Sequence, residues 1–237
     1  MKNTQIHSLR IPAGKYGLLA LASASLICQS QAAVLASYEF GTTGSFSFAT
    51  TTNAAGVTGS FITDAPTGGT YEINDNLGYP TPLNPVLQVS PPNNTTTTVA
   101  QAVANDSYFT FTISPDTLTS LRFDTLTFKA GRGGGSTARG YSVRTSLDSF
   151  TSDLGSGDIP AQRPNFSNLS ADLSAPAFDN ITAPIEFRIY VYSPAIGNSL
   201  EFDDIILNGT VTTIPEPSIS LALVLGLLSC GLVRRRK

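Results

Sequence analysis

Tryptophan is absent from this 237-residue chain, methionine and histidine occur once each, and cysteine twice. The positions sharpen the deficit. His7 lies in the first basic segment, Cys28 and Cys230 lie in apolar runs near the two ends, and the region between holds neither imidazole nor thiol. Disulfide staples and Cys or His metal centres are excluded there, so the fold of that region must rest on its apolar core. Catalysis would need paired carboxylates, as in glycosidases, or a Ser-Lys arrangement. Lys129 is the single lysine of the region, and Asp148, Asp153 and Asp158 are spaced along a loop-like segment that they solvate.

Charge is also scarce, at 13% of residues, and the formal value of −3 hides a segregation. Lys2, Arg10 and Lys15 precede the first apolar run, and Arg234, Arg235, Arg236 and Lys237 follow the last. The other seven cations face all 17 Asp and Glu residues, leaving about −10 between the runs. Nucleic acid is excluded as a partner on this ground, because its affinity comes chiefly from Lys and Arg on phosphate.

The two ends carry addresses. Residues 1–33 read as a secretory signal peptide: basic residues, an apolar stretch from Tyr16 to Ile27, then SQAA with small side chains at Ser30 and Ala32. Export through the Sec translocon and cleavage by signal peptidase after Ala32 or Ala33 are expected. Two other readings stay open, a lipoprotein acylated at Cys28, which Ile27 in the preceding position opposes, and an uncleaved anchor. At the other end, Ile219–Val233 would span about 22 Å as a helix at 1.5 Å per residue, against a hydrocarbon core of about 30 Å. The run is apolar on all sides and ends in RRRK, which fits a short transmembrane helix, 219–233, halted by the positive-inside rule better than a buried helix. Pro215 and Pro217 stop that helix from extending backwards.

The segment IPEPSISLALVLGLLSCGLVRRRK, 214–237, resembles the PEP-CTERM sorting signal of Gram-negative bacteria. Pro215, Glu216 and Pro217 match its motif, Ser218 is a common successor, and Arg234, Arg235 and Arg236 match its basic stop. The resemblance covers about a tenth of the chain. It implies processing by an exosortase, a membrane-embedded cysteine transpeptidase-like enzyme, and an association with exopolysaccharide and the extracellular matrix. The expected route is export across the inner membrane, transient anchoring by the C-terminal helix, then release to the cell surface or beyond.

Between the ends, residues 34–212 read as one all-β domain. YFTFTI at 108–113 alternates, with Phe109, Phe111 and Ile113 on one face. In LRFDTLTFKAG at 121–131 Leu126 and Phe128 point inward, in GYSVRTSL at 140–147 Tyr141 and Val143, and in IEFRIYVYS at 185–193 Phe187, Ile189 and Val191. SYEF at 37–40, FSFAT at 46–50 and VTGSFIT at 57–63 open the domain, and LEFDDIILNGTV at 200–211 closes it. The stretch 77–98 is too proline-dense for a central strand and reads as a long surface excursion. Such strands with frequent turn signals predict an antiparallel β-sandwich. Their order across 106–211 resembles the jelly-roll domains common in PEP-CTERM proteins, similar in layout to carbohydrate-binding modules.

Three constellations are candidates for chemistry. Arg144, Arg188, Tyr190 and Tyr192 share an outer sheet face and could bind glycan by stacking and guanidinium forks; an ordinary packed outer face is the alternative. Glu39, Glu201 and Asp203 could supply oxygens to calcium, although Asp203 and Asp204 point to opposite faces of a strand unless it bulges. GRGGGSTARG at 131–140 lacks the GK[ST] ending of a P-loop and reads as a flexible connection. The sequence therefore points to a non-enzymatic structural or adhesive surface protein without a required cofactor, with exopolysaccharide binding as the alternative and glycoside-active catalysis as a remote third.

Overall fold

A strand that buries every second side chain needs a partner sheet to cover that face. The computed structural model describes residues 30–64, 69–77, 79, 85–91, 96–135, 137–194 and 198–215. Residues 1–29 of the expected signal peptide 1–33 and the C-terminal helix 219–233 lie outside them, as do Glu216, Pro217, Arg234, Arg235 and Arg236. Among the described residues no helix is long and apolar enough to cross a membrane.

In chain order the strands are β1 (Ser30–Tyr38), β2 (Gly41–Thr42), β3 (Ser45–Phe46), β4 (Thr52–Asn53), β5 (Val57–Gly59), β6 (Thr63–Asp64), β7 (Thr70–Asn74) and β8 (Val86–Ser90). After the short helix α1 (Val99–Ala104) come β9 (Tyr108–Pro115), β10 (Thr119–Arg132), β11 (Gly140–Thr145), β12 (Gly155–Asp158), β13 (Ser167–Asp172), β14 (Ile185–Tyr192) and β15 (Leu200–Thr213). A seven-stranded sheet runs β13-β10-β15-β1-β4, with β8 joined to β15 and β7 to β8. The six-stranded sheet runs β12-β11-β14-β9-β5, with β6 also on β9. Strand pairing within both sheets is antiparallel, so the chain is an antiparallel β-sandwich.

The two inner faces meet through aromatic rings. Phe109 packs edge-on to Phe202 at 5.0 Å, Tyr141 to Phe128 at 5.1 Å, and Phe187 tilts against Phe123 at 5.5 Å. All six are buried in one core cluster with Phe111, Ile189, Val191, Leu126 and Leu207. Burial of each such side chain contributes roughly 1.5–3 kcal/mol, enough to hold the domain without covalent staples.

Several elements depart from the sequence reading. Val86–Ser90, inside the expected excursion, forms β8 and enters the seven-stranded sheet between β15 and β7. Its prolines, Pro85 and Pro91, flank the strand rather than interrupt it, so the ladder loses no donor. FSFAT contributes only the short hairpin arm β3, paired with β2. β1 starts at Ser30, where Ser30 pairs with Thr212, and β15 continues to Thr213. Both strands thus cross the expected domain limits of 34 and 212.

Candidate functional site

The outer face of the six-stranded sheet is built by register. Arg144 of β11 lies opposite Arg188 of β14, which lies opposite Thr110 of β9; in the next row stand Ser142, Tyr190 and Tyr108. Tyr192 pairs with Gly140, whose missing side chain is required: a Cβ there would sit 2.2 Å from the Tyr192 hydroxyl and 2.3 Å from the Gly157 carbonyl oxygen. The expected quartet of Arg144, Arg188, Tyr190 and Tyr192 therefore does share one face.

A loop completes it. After a 3-10 turn at Ser146–Asp148, Ser149 and Phe150 both take left-handed backbone conformations, φ 60° and 61°, and send the chain back across the face. The Leu154 amide then donates to the Val143 carbonyl at 2.9 Å. This return places the Phe150 ring 3.7 Å from the Arg188 guanidinium carbon, while the Tyr108 ring lies 4.4 Å from the same atom. Arg188 Nε donates to Glu186 Oε1 at 2.7 Å, and Thr110 Oγ1 donates to the same oxygen at 3.1 Å. Burial opposes the charge on Arg188, but the contacts to Glu186 and Tyr190 hold its pKa above the ordinary arginine value.

Arg144 is fixed separately. Its Nε donates to Asp153 Oδ1 at 2.6 Å and its Nη1 to the Phe150 carbonyl at 2.9 Å. Ser142 Oγ also donates to Asp153 Oδ1. The Tyr192 hydroxyl donates to Asp158 Oδ1 at 2.7 Å; burial and that carboxylate push its pKa up. Asp153 and Asp158 are thus anchors of this face, where the sequence suggested only loop solvation.

Tyr190 is buried, contrary to the expectation of an outward ring. Its ring is only 2% exposed, held edge-on to Tyr108 at 5.0 Å with the Arg144 guanidinium 5.6 Å from its centroid. It is the floor of the face and offers no stacking surface. Tyr108, half-buried, takes that place. The outward alternation of β9 could have found Tyr108, but Phe150 depends on two left-handed residues that leave no periodic signal.

Of the calcium trio, Glu39 lies within electrostatic reach of Asp203, but the three carboxylates do not gather into one site. Glu201 is fully buried, accepting from Arg163 Nη2 at 2.5 Å, Ser199 Oγ at 2.6 Å and the Tyr79 hydroxyl at 3.4 Å. Burial pushes its carboxyl up against the opposing pull of Arg163. Asp204, at φ 46°, forms the bulge that would let it join Asp203, yet its carboxylate faces Lys129 Nζ at 2.5 Å. Asp203 is buried, which raises its pKa to about 7. Among the described residues no group of three or more His, Cys, Asp and Glu could hold a metal ion.

The glycine-rich connection is pinned rather than loose. Arg139, itself buried, donates to the Ser199 carbonyl and, at 2.6 Å, to the Gly134 carbonyl, while Arg132 reaches the Thr137 carbonyl at 3.1 Å and that of Pro160 at 3.2 Å. Elsewhere, the outer face of the seven-stranded sheet carries two shallow grooves. One of about 440 Å³ is lined by Thr127, Lys129, Asn168, Leu169 and Ile206, and one of about 310 Å³ by Ser120, Arg122, Asp179, Thr210 and Thr212. Neither has an aromatic platform on its open side.

No family model matches the chain, and no curated protein matches it. Among solved structures, the chain is similar to the C-terminal family 22 carbohydrate binding module of Clostridium thermocellum Xyn10B, at 10% identity and TM-score 0.41 over 73% of this chain and 92% of that one. It is also similar to the K1 cleaved adhesin domain of Lys-gingipain from Porphyromonas gingivalis, at 14% identity and TM-score 0.40 over 76% and 97%. A third is the CBM61 module bound to β-1,4-galactotriose, at 10% identity and TM-score 0.35 over 62% and 85%. Likeness at this level carries no argument about ligand.

Proposed function

We propose that this chain is an exported, non-catalytic surface domain that holds extended polysaccharide against the outer face of its six-stranded sheet. One observation carries the reading: Arg188 lies between the Phe150 and Tyr108 rings with its Nε fixed by Glu186. A guanidinium held in one orientation loses little side-chain entropy on binding. Thr110, Glu186, Asp153 and Tyr192 add hydroxyls and carboxylates around it, and an open sheet face suits a chain better than a small molecule. Affinity electrophoresis of the processed protein through the producing organism's exopolysaccharide tests this. Retardation lost in Arg188→Ala and Tyr108→Ala supports it; unretarded wild type contradicts it.

A purely structural or adhesive role is the second reading. It is favoured by the pairing of each of the two arginines on this face with a carboxylate, Arg144 with Asp153 and Arg188 with Glu186. The same pairing speaks against glycoside catalysis, since these carboxylates are held as ion-pair partners rather than facing each other across an open cleft.

Delivery follows the sequence signals: an N-terminal signal helix, Sec export, and an exosortase acting at Pro215, Glu216 and Pro217 while a transmembrane helix at 219–233 and Arg234–Arg236 retain the tail. The exposed Pro215, two residues beyond the last strand, is compatible with that access. A jelly-roll-like layout accords with the pairing of the first and last strands in one sheet.

A further inference from the structure

Two strands bring the chain into and out of the domain at one end. Ser30 at the start of β1 pairs with Thr212 near the end of β15, and Thr213 pairs on its other side with Thr119 at the start of β10. The β9–β10 turn closes the same end, with Thr119 N donating to the Asp116 carbonyl at 3.1 Å and Ile214 N to the Leu118 carbonyl at 2.7 Å. β11 also finishes towards this end, because Thr145 pairs with Phe187 near the beginning of β14, and the 3-10 turn follows it.

Three of the six exposed large hydrophobics among the described residues belong to this end, Leu118 at 39%, Leu147 at 39% and Ile214 at 41%; Phe61, Phe46 and Val34 lie elsewhere. Leu118 is anomalous for a second reason. It sits in a left-handed turn position, φ 60°, where Gly, Asn or Asp are the usual occupants. A turn tip in open water has no use for a strained leucine, and such outliers point to function.

The chain itself names what covers the patch. Only Pro215, Glu216, Pro217 and Ser218 separate Ile214 from the apolar run Ile219–Val233, a tether of at most about 18 Å across five extended residue steps. Of the carboxylates at this end, Asp116 accepts from Thr58 Oγ1 at 3.0 Å, Asp148 from the Ser152 amide at 2.9 Å, and Asp179 pairs with Arg122 at 3.3 Å, each at a solvent-exposed position.

We propose that, while the tail is uncleaved, this end of the sandwich is seated on the lipid bilayer, with Leu118, Leu147 and Ile214 in the interfacial layer. The inference rests on the reading of 219–233 as a membrane segment. The strands then stand away from the surface, and the 14-residue β10 lifts the arginine-pinned glycine loop up to roughly 45 Å from it, at about 3.3 Å per residue. The ligand face is turned sideways, open to polymer running over the membrane.

The absence of tryptophan makes a direct test possible. The full chain, reconstituted in phosphatidylcholine vesicles brominated near the headgroup, carries one Trp at a time: Leu118→Trp, Leu147→Trp, Ala138→Trp at the far end, or Leu225→Trp in the apolar run. Quenching of the 118 and 147 reporters at least threefold stronger than at 138 is expected, with 225 quenched by deeper bromines. Quenching at 225 with 118 and 147 no different from 138 overturns the seating while leaving the membrane tail intact. An unquenched 225 overturns the tail reading and the seating with it. Shielding of 118 and 147 without quenching, accompanied by a cross-linked dimer, assigns the patch to a second copy and also overturns the proposal.

Discussion

The Arg188 guanidinium lies 3.7 Å from the Phe150 ring centroid, a contact between a strand residue and the tip of a loop that folds back over its own sheet. Such a pair contributes about 0.5–2 kcal/mol, and Phe150 also fixes Arg144 through its carbonyl. Replacing the ring removes the Arg188 contact, while the backbone carbonyl that holds Arg144 remains. Phe150→Ala is expected to lower unfolding stability by about 1 kcal/mol in urea titrations and to weaken polysaccharide retention at least fivefold. Equal retention by the variant would remove Arg188 orientation from the account.

The Arg163–Glu201 pair makes the opposite kind of demand, because Glu201 is fully buried. Removing its cation leaves a carboxylate in low dielectric, and breaking such pairs costs about 3–5 kcal/mol. Arg163→Met should fall in that range by denaturant midpoint, and adding Glu201→Gln should recover part of the loss. A single variant within 1 kcal/mol of wild type, about the value of an exposed pair, would show that the pair is solvated.

Asp203 sets a pH dependence. Burial raises its pKa from 3.8 to about 7, so the folded state binds this proton more tightly than the unfolded chain. The associated stability is complete below pH 3.8, falls as pH rises, and is lost above about 7. At about 1.36 kcal/mol per pH unit, the upper bound is roughly 4 kcal/mol. Asp203→Asn should flatten the Tm profile between pH 5 and 8 and raise Tm at pH 8. A wild-type profile that rises across this window, with the variant parallel to it, would contradict the assignment.

What the sequence disclosed follows from which interactions are periodic. β9, β11 and β14 announce themselves because Phe111, Val143 and Ile189 recur at every second position, and the same period places Arg144, Arg188 and Tyr192 on a common outer face. β12, with the sequence GSGD, buries no apolar side chain and offers no such pattern. β8 was masked by prolines that border it. Sidedness also cannot report depth. Tyr190 and Tyr192 point the same way, but only the register with Tyr108 and Arg144 shows that Tyr190 is covered. Glu201 and Asp203 are carboxylates in a strand, and no periodic signal reveals that both are interior.

Sorting is tested by the tail. Glu216→Gln, or replacement of Arg234 through Lys237 by Ser, is expected to leave a full-mass, membrane-retained species in the producing cell. Wild-type mass and location in both variants would refute the exosortase reading without touching the sandwich.

The central claim is that the face around Arg188 holds polysaccharide. The most direct measurement is isothermal titration of the processed protein with purified exopolysaccharide, comparing wild type with Arg188→Lys, which keeps the charge but loses the planar fork. Saturable binding by wild type, weakened at least tenfold in the variant at unchanged Tm, is expected. Absence of heat with wild type, or identical affinity for both proteins, would contradict the account.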